Sequence, residues 1–167
     1  RLSPLPNGNY EYYFNADSVV GKVTEMTEVS RNAKEQRIIP QHYIYQRNGM
    51  GKNRDDELVF DWAANKVTNV KNAHSQILDA TQNFQDSLSY QIQLSQDLIA
   101  GKKQLEYSIT NGRKTKHYKF DIVGEEVLTT PLGDVKTVKV KRTRDKSELV
   151  TYAWFAKDFQ HLLVRLQ

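Results

Sequence analysis

Polar and apolar positions alternate along most of this chain. Tyr10, Tyr12 and Phe14 stand between polar neighbours, and Tyr43, Tyr45 and Arg47 share one face of a run that follows Pro40. Leu58, Phe60 and Trp62 come after the turn-rich RNGMGKNRD. Leu105, Tyr107 and Ile109 lead into Asn111-Gly112, a common hairpin dipeptide, and Tyr118, Phe120 and Ile122 leave it. Val138 and Val140, then Val150, Tyr152 and Trp154, then Leu162, Val164 and Leu166 complete the series. A period of two predicts strands with one apolar and one wet face, which is the antiparallel pattern.

One segment departs from this rhythm. FQDSLSYQIQLSQDLIAGKK, Phe84 to Lys103, carries apolar residues at 84, 88, 92, 98 and 99. That spacing predicts an amphipathic helix, with Asp86 as N-cap and Gly101 as the C-terminal stop. The expected fold is mainly β: an antiparallel meander of about eight strands curled into an open barrel or β-roll, with one amphipathic helix packed on it. The chain has no internal repeat, low-complexity run or clear linker, and its 167 residues are expected to form a single domain, 1–167.

Composition narrows the chemistry. Nine tyrosines suit half-buried pleated surfaces. With no cysteine, disulfides, thiolate catalysis and cysteine zinc sites are excluded. The 24 basic and 20 acidic residues leave a net charge of +4 with the signs interspersed, a weak pull on anionic partners. No apolar run approaches the ~20 residues of a membrane helix. The chain opens at RLSPLPNG without a methionine, as a trimmed mature form would.

Few motifs carry chemistry. GMGKN at 49–53 hints at a phosphate loop, but Gln46 stands where the first glycine belongs and Asn53 where Ser or Thr belongs. A strand, not a helix, is expected after it. Lys136, Lys139, Lys141, Arg142, Arg144 and Lys146 form a basic hairpin with Asp145 and Glu148 at its turn. Lys139 and Lys141 alternate with Val138 and Val140, so these charges read as a solvated sheet face and no nucleic-acid partner is expected. His42, His74, His117 and His161 have no metal-ligand spacing, although a dyad formed in space stays open. The acids at 55–57 read as turn residues. No catalytic residue, metal site or cofactor is expected. Tyr43, Tyr45, Trp62 and Trp154 are candidates to line the concave side of a curled sheet, with Arg47 and Arg54 as polar anchors. The competing reading makes the aromatics plain core between sheet and helix.

Ordered motifs add a resemblance. IIPQHYIYQRNGMGKNRDDELVFDW (Ile38 to Trp62), FQDSLSYQIQL (Phe84 to Leu94), TTPLGDVKTVKVKR (Thr129 to Arg142) and YAWFAKDFQHLLVRLQ (Tyr152 to Gln167) resemble the bacterial family called domain of unknown function 3108. The resemblance covers roughly 36 to 167. The segment N-terminal to it departs from the family pattern, as if residues were missing on both sides of Ala16 to Val23. The family implies exported proteins of Gram-negative bacteria, hence a periplasmic location after signal-peptide removal, and an antiparallel roll or open barrel. It carries no established activity. The expected function is a non-enzymatic binding module for an apolar or extended envelope ligand: a lipid, glycan or peptide. The alternative is a structural or partner-binding envelope protein that uses an exposed sheet edge. An uncharacterised hydrolase or lyase stands third.

Overall fold

The computed structural model describes residues 1–167 except Met50, Lys52, Ala80, Thr81, Leu132, Asp145 and Lys146, and only the backbone of Ser147 and Glu148. Parts of the glycine-rich loop and of the basic hairpin's turn therefore lie outside the described residues. The strands are β1 (Leu2–Pro4), β2 (Tyr10–Ser18), β3 (Gly21–Asn32), β4 (Arg37–Gly49), β5 (Arg54–Asp61), β6 (Lys66–Asn69), β7 (His74–Ile77), β8 (Phe84–Gln85), β9 (Leu105–Thr110), β10 (Thr115–Thr130), β11 (Gly133–Arg144), β12 (Ser147–Ala156) and β13 (Leu162–Leu166). Among the described residues one α-helix, α1 (Ser89–Ile99), lies between β8 and β9.

The protein is mainly β, with its strands in two sheets. The first is a seven-stranded antiparallel meander in the order β1-β2-β3-β4-β5-β6-β7. The second has six strands in the order β13-β12-β11-β10-β9-β8, and is mixed because β8 and β9 run parallel. Neither closes into a barrel among the described residues. The alternation predicts one meander, but period two alone does not say which strands share a sheet. The chain divides into two compact units, Arg1–Tyr90 with Ser108–Thr115, and Gln91–Tyr107 with Lys116–Gln167.

In the first unit β2 and β3 pair without interruption from Tyr10↔Val29 to Ser18↔Gly21. The segment around Ala16 to Val23 is thus one continuous hairpin. Gly21 pairs with Gly49 across β3 and β4, and a Cβ on Gly49 would lie 2.4 Å from the Gly21 Cα. The core cluster is Tyr43, Leu58, Phe60, Val67, Leu78, Phe84 and Leu88, with Tyr12, Tyr45 and Trp62 packed against it. Phe84 and Gln85 are strand, pairing with Ser108 and Ile109, and not the first turn of a helix as the spacing predicts. Their buried positions are set by this pairing, which no local pattern reveals.

The helix begins at Ser89 because Asp86 caps it: its Oδ1 accepts the backbone N–H groups of Leu88 and Ser89, at 2.8 and 2.7 Å. It ends where Gly101 adopts φ +69°. There the N–H of Lys102 reaches Asp97 O and that of Gly101 reaches Leu98 O, a Schellman closure. The apolar spacing is only half of its buried face. Gln93 and Asp97 are buried beside Leu94 and Leu98, whereas Ile99 is exposed. In the second unit Asp97 accepts hydrogen bonds from Gln93 and the Tyr107 hydroxyl and pairs with Lys102, so the buried carboxylate is fully partnered.

Val138 and Val140 lie opposite Phe155 and Ala153 on the buried side of β11 and β12, as the alternation predicts. The intervening Lys139 lies opposite Trp154. On β13 the prediction fails, since Leu162, Val164 and Leu166 are all exposed.

Candidate functional site

Rows of facing residues across β3, β4 and β5 build a cleft in the first unit. Thr27, Tyr43 and Leu58 make one row, and all three are buried. Two residues along each strand, on the same face, Glu25, Tyr45 and Asp56 make the next. Val23, Arg47 and Arg54 make the outermost. The face therefore grades from apolar to ionic within three rows. A cavity of about 120 Å³ opens where it turns polar, lined by Glu25, Tyr43, Tyr45, Arg54, Asp56, Leu58, Ser87 and Asn111.

The polar lining is connected. The Tyr43 hydroxyl donates to Glu25 Oε2 at 2.8 Å. Arg54 Nε donates to Asp56 Oδ2, and the guanidinium lies 5.3 Å from the centre of the Tyr45 ring. Asn69 Nδ2 donates to Asp56 Oδ1 at 2.9 Å. Asn69 is itself held by the turn at Gly112, whose φ of +80° and close approach leave no room for a side chain: an added Cβ would lie 2.9 Å from the Asn69 Cβ.

Burial dominates the electrostatics. It pushes the Glu25 carboxyl above its ordinary range, and Asp86 adds to the rise, while the Tyr43 hydrogen bond and Arg54 oppose it. Asp86 is raised by complete burial, against hydrogen bonds from Thr27, Ser89 and Leu88. The Tyr43 hydroxyl is pushed well up, first by burial and then by Glu25 and Asp86, so it stays a donor. A second, shallower cavity of about 130 Å³ is lined by Gln46, Asn48, Asn53, Arg54 and Asp55. Arg54 belongs to both.

Of the residues singled out in the sequence, Tyr43, Tyr45 and Arg54 meet in the cleft. Arg47 pairs with Arg54 across the strands and is exposed at its rim. Trp62 has a supporting role: its Nε1 donates to Pro40 O at 2.7 Å and its ring stacks on Phe60 at 5.6 Å. Trp154 belongs to the second unit. It is 2% exposed, with Lys139 4.8 Å and Arg165 4.7 Å from its ring centre and its Nε1 donating to Glu126. That hydrogen bond, with Lys139 beside it, lowers the Glu126 carboxyl.

Sequence reasoning missed Glu25, Asp56 and Asn69. The acids at 55–57 are not turn residues: they lie in β5, where Asp56 points into the cleft and Glu57 accepts or shares a proton with His42 Nε2 at 3.0 Å. That bond, followed by Lys71, lowers the Glu57 carboxyl. The usable signal is parity, since Asp56 falls in step with Leu58 and Phe60. Among the described residues no three His, Asp or Glu side chains gather as a metal-binding group. No described helix is long and apolar enough to cross a membrane.

A family model described as a protein of unknown function, DUF3108, matches residues 10–167. The chain belongs to the DUF3108 family. The match takes in the β2–β3 hairpin as well as the region from Ile38 onward. No curated protein and no solved structure matches the chain. The DUF3108 assignment brings no activity with it, so function has to be argued from the cleft.

Proposed function

We propose that this DUF3108 protein is a non-enzymatic binding module of the periplasm, and that the Glu25–Arg54 cleft holds one polar group of an extended envelope ligand. The supporting observation is the graded face: an apolar floor at Tyr43 and Leu58, then Glu25, Asp56 and Arg54 converging at the mouth. A few placed polar groups over an apolar floor is the usual design of a ligand site. At about 120 Å³ the cavity is smaller than the roughly 300–1,000 Å³ of sites that engulf a whole small molecule. It suits one substituent of a longer chain, which favours a glycan or peptide over a buried lipid tail. In this reading the seven-stranded sheet of the first unit curls as an open barrel or roll, with the ligand on its concave side.

Native mass spectrometry of protein released gently from a periplasm tests this. A co-purifying mass of a few hundred daltons, lost on denaturation and absent from Arg54→Ala, is the expected result. A bare mass, with no tyrosine-fluorescence change on titration with soluble peptidoglycan fragments, overturns it.

A second reading, a partner-binding protein that accepts a strand at a sheet edge, is favoured by β13, which forms one edge of the second sheet and exposes three apolar side chains.

A further inference from the structure

We infer that the polar group held in the cleft is a carboxylate carried by a peptide chain; this rests on the cleft reading just given. The cavity wall offers donors that the protein itself leaves without acceptors. Asp56 is engaged at both oxygens, with Oδ2 accepting from Arg54 Nε and Oδ1 from Asn69. Arg54 has only its Nε committed. Its two terminal guanidinium nitrogens, the pair that forks onto a carboxylate, have no hydrogen-bond partner among the described residues. Asn111 is similar: its Oδ1 accepts the backbone N–H groups of Arg113 and Lys114, at 3.1 and 2.8 Å, while its NH2 group has no such partner.

Charge points the same way. Arg47 stands directly opposite Arg54 across β4 and β5. Like charges that face each other across a ladder repel, and an anion at the mouth of the cleft is drawn to both. The remaining acid of the wall, Glu25, accepts the Tyr43 hydroxyl, and burial favours its neutral form. In that form it donates a proton to a neighbouring oxygen and does not repel it.

The surroundings favour a peptide over a glycan as the bearer. A sugar ring wants an open aromatic face, but Tyr45 carries the Arg54 guanidinium and packs against the core, and Tyr43 is buried. The shallower cavity that shares Arg54 has no aromatic in its lining. It is lined by the carboxamides of Gln46, Asn48 and Asn53 beside Asp55. A carboxamide both donates and accepts, which matches the N–H and C=O groups of a peptide backbone. A carboxylate seated at Arg54 leaves the rest of the peptide over these three side chains.

Titration of the full chain at pH 7 with short N-acetylated peptides, followed by tyrosine fluorescence, tests the proposal. The probes are a neutral peptide with a free carboxylate end, its C-terminal amide, an amide with one glutamate and an amide with one lysine. A carboxylate-bearing peptide is expected to bind about tenfold or more tightly than the neutral amide. Which of the two does so tells a chain end from an acidic side chain. Arg54→Ala is expected to remove the difference. Asn111→Asp keeps the oxygen that the turn amides need and replaces the NH2 group with a second oxygen, so it is expected to reduce the difference while the far-ultraviolet spectrum stays that of the wild type. Equal binding of all the peptides, or tightest binding of the lysine peptide, overturns the carboxylate and leaves the cleft reading in place. So does binding of a neutral oligosaccharide where no peptide binds. If nothing binds, the carboxylate is overturned too, and the cleft reading is decided separately by the co-purifying mass.

Discussion

Tyr43 on β4 donates its hydroxyl proton to Glu25 on β3 across a diagonal of the sheet, since the residues directly opposite them are Thr27 and Tyr45. The bond holds an acidic group that burial would otherwise drive towards its neutral form. Tyr43→Phe removes the donor and leaves the carboxylate short of a partner. The expected cost at neutral pH is about 1–3 kcal/mol, the range for stranding a buried polar group. Urea unfolding at pH 7 and pH 4 checks it, and the deficit should shrink at the lower pH, where Glu25 carries its own proton.

Glu25 also sets a pH dependence of stability. Its native pKa lies above the unfolded value, so the native state binds the proton more tightly. Stability from this group is complete below the unfolded pKa and is lost as pH rises through the native one. Asp86 acts in the same direction. Glu28 and Glu57 are lowered, so their contribution is present above the unfolded pKa and is lost as pH falls through their native values. Glu25→Gln should therefore reduce the stability lost between about pH 4 and pH 7. Thermal unfolding across that range for both proteins decides it, and an unchanged slope would remove Glu25 as the source.

Asp86 caps the helix and accepts the buried Thr27 hydroxyl at 2.6 Å. Asp86→Ala should cost at least the ~1–2 kcal/mol of a lost cap. Asp86→Asn keeps one acceptor oxygen and should cost less. Denaturant midpoints with unchanged m-values would establish the order.

Gly112→Ala forces a Cβ onto a backbone at φ +80° and against Asn69. The expected loss exceeds about 1 kcal/mol. Because Asn69 steadies Asp56, the variant should also weaken any ligand found in the cleft, read as a higher Kd than the wild type in the tyrosine-fluorescence titration.

Much of this was legible in the sequence, and the gaps have physical causes. Strands such as β4 and β5 were readable because one face is buried and the other wet, so composition follows the pleat. Tyr43 and Tyr45 were readable as sharing a face for the same reason, whereas Arg54 stands in a run that reads as a turn and joins them only through the pairing of β4 with β5. Phe84 and Gln85 were not, because their strand state comes from a partner more than twenty residues away. Asp56 was hidden by its place in an acidic triplet that resembles a turn. The buried polar stripe of Gln93 and Asp97 was hidden because its partners, Tyr107 and Lys102, follow the helix in sequence. Trp154 reads as a ligand-facing ring because an aromatic that two cations cover looks, in sequence, like one waiting for a ligand.

The parallel pairing of β8 with β9 has a consequence for the order of folding. Strands β1 to β7 each pair with the next along the chain, so their contacts are local and close cheaply. Phe84 and Gln85 must instead wait for Ser108 and Ile109, which emerge only after the whole of α1. On a ribosome the seven-stranded meander can form early, while the first unit stays incomplete until the chain has passed Thr115. Closing that long loop is expected to be the slow step, and the paired strands at Phe84–Gln85 and Ser108–Ile109 the last part of the first unit to gain protection from exchange.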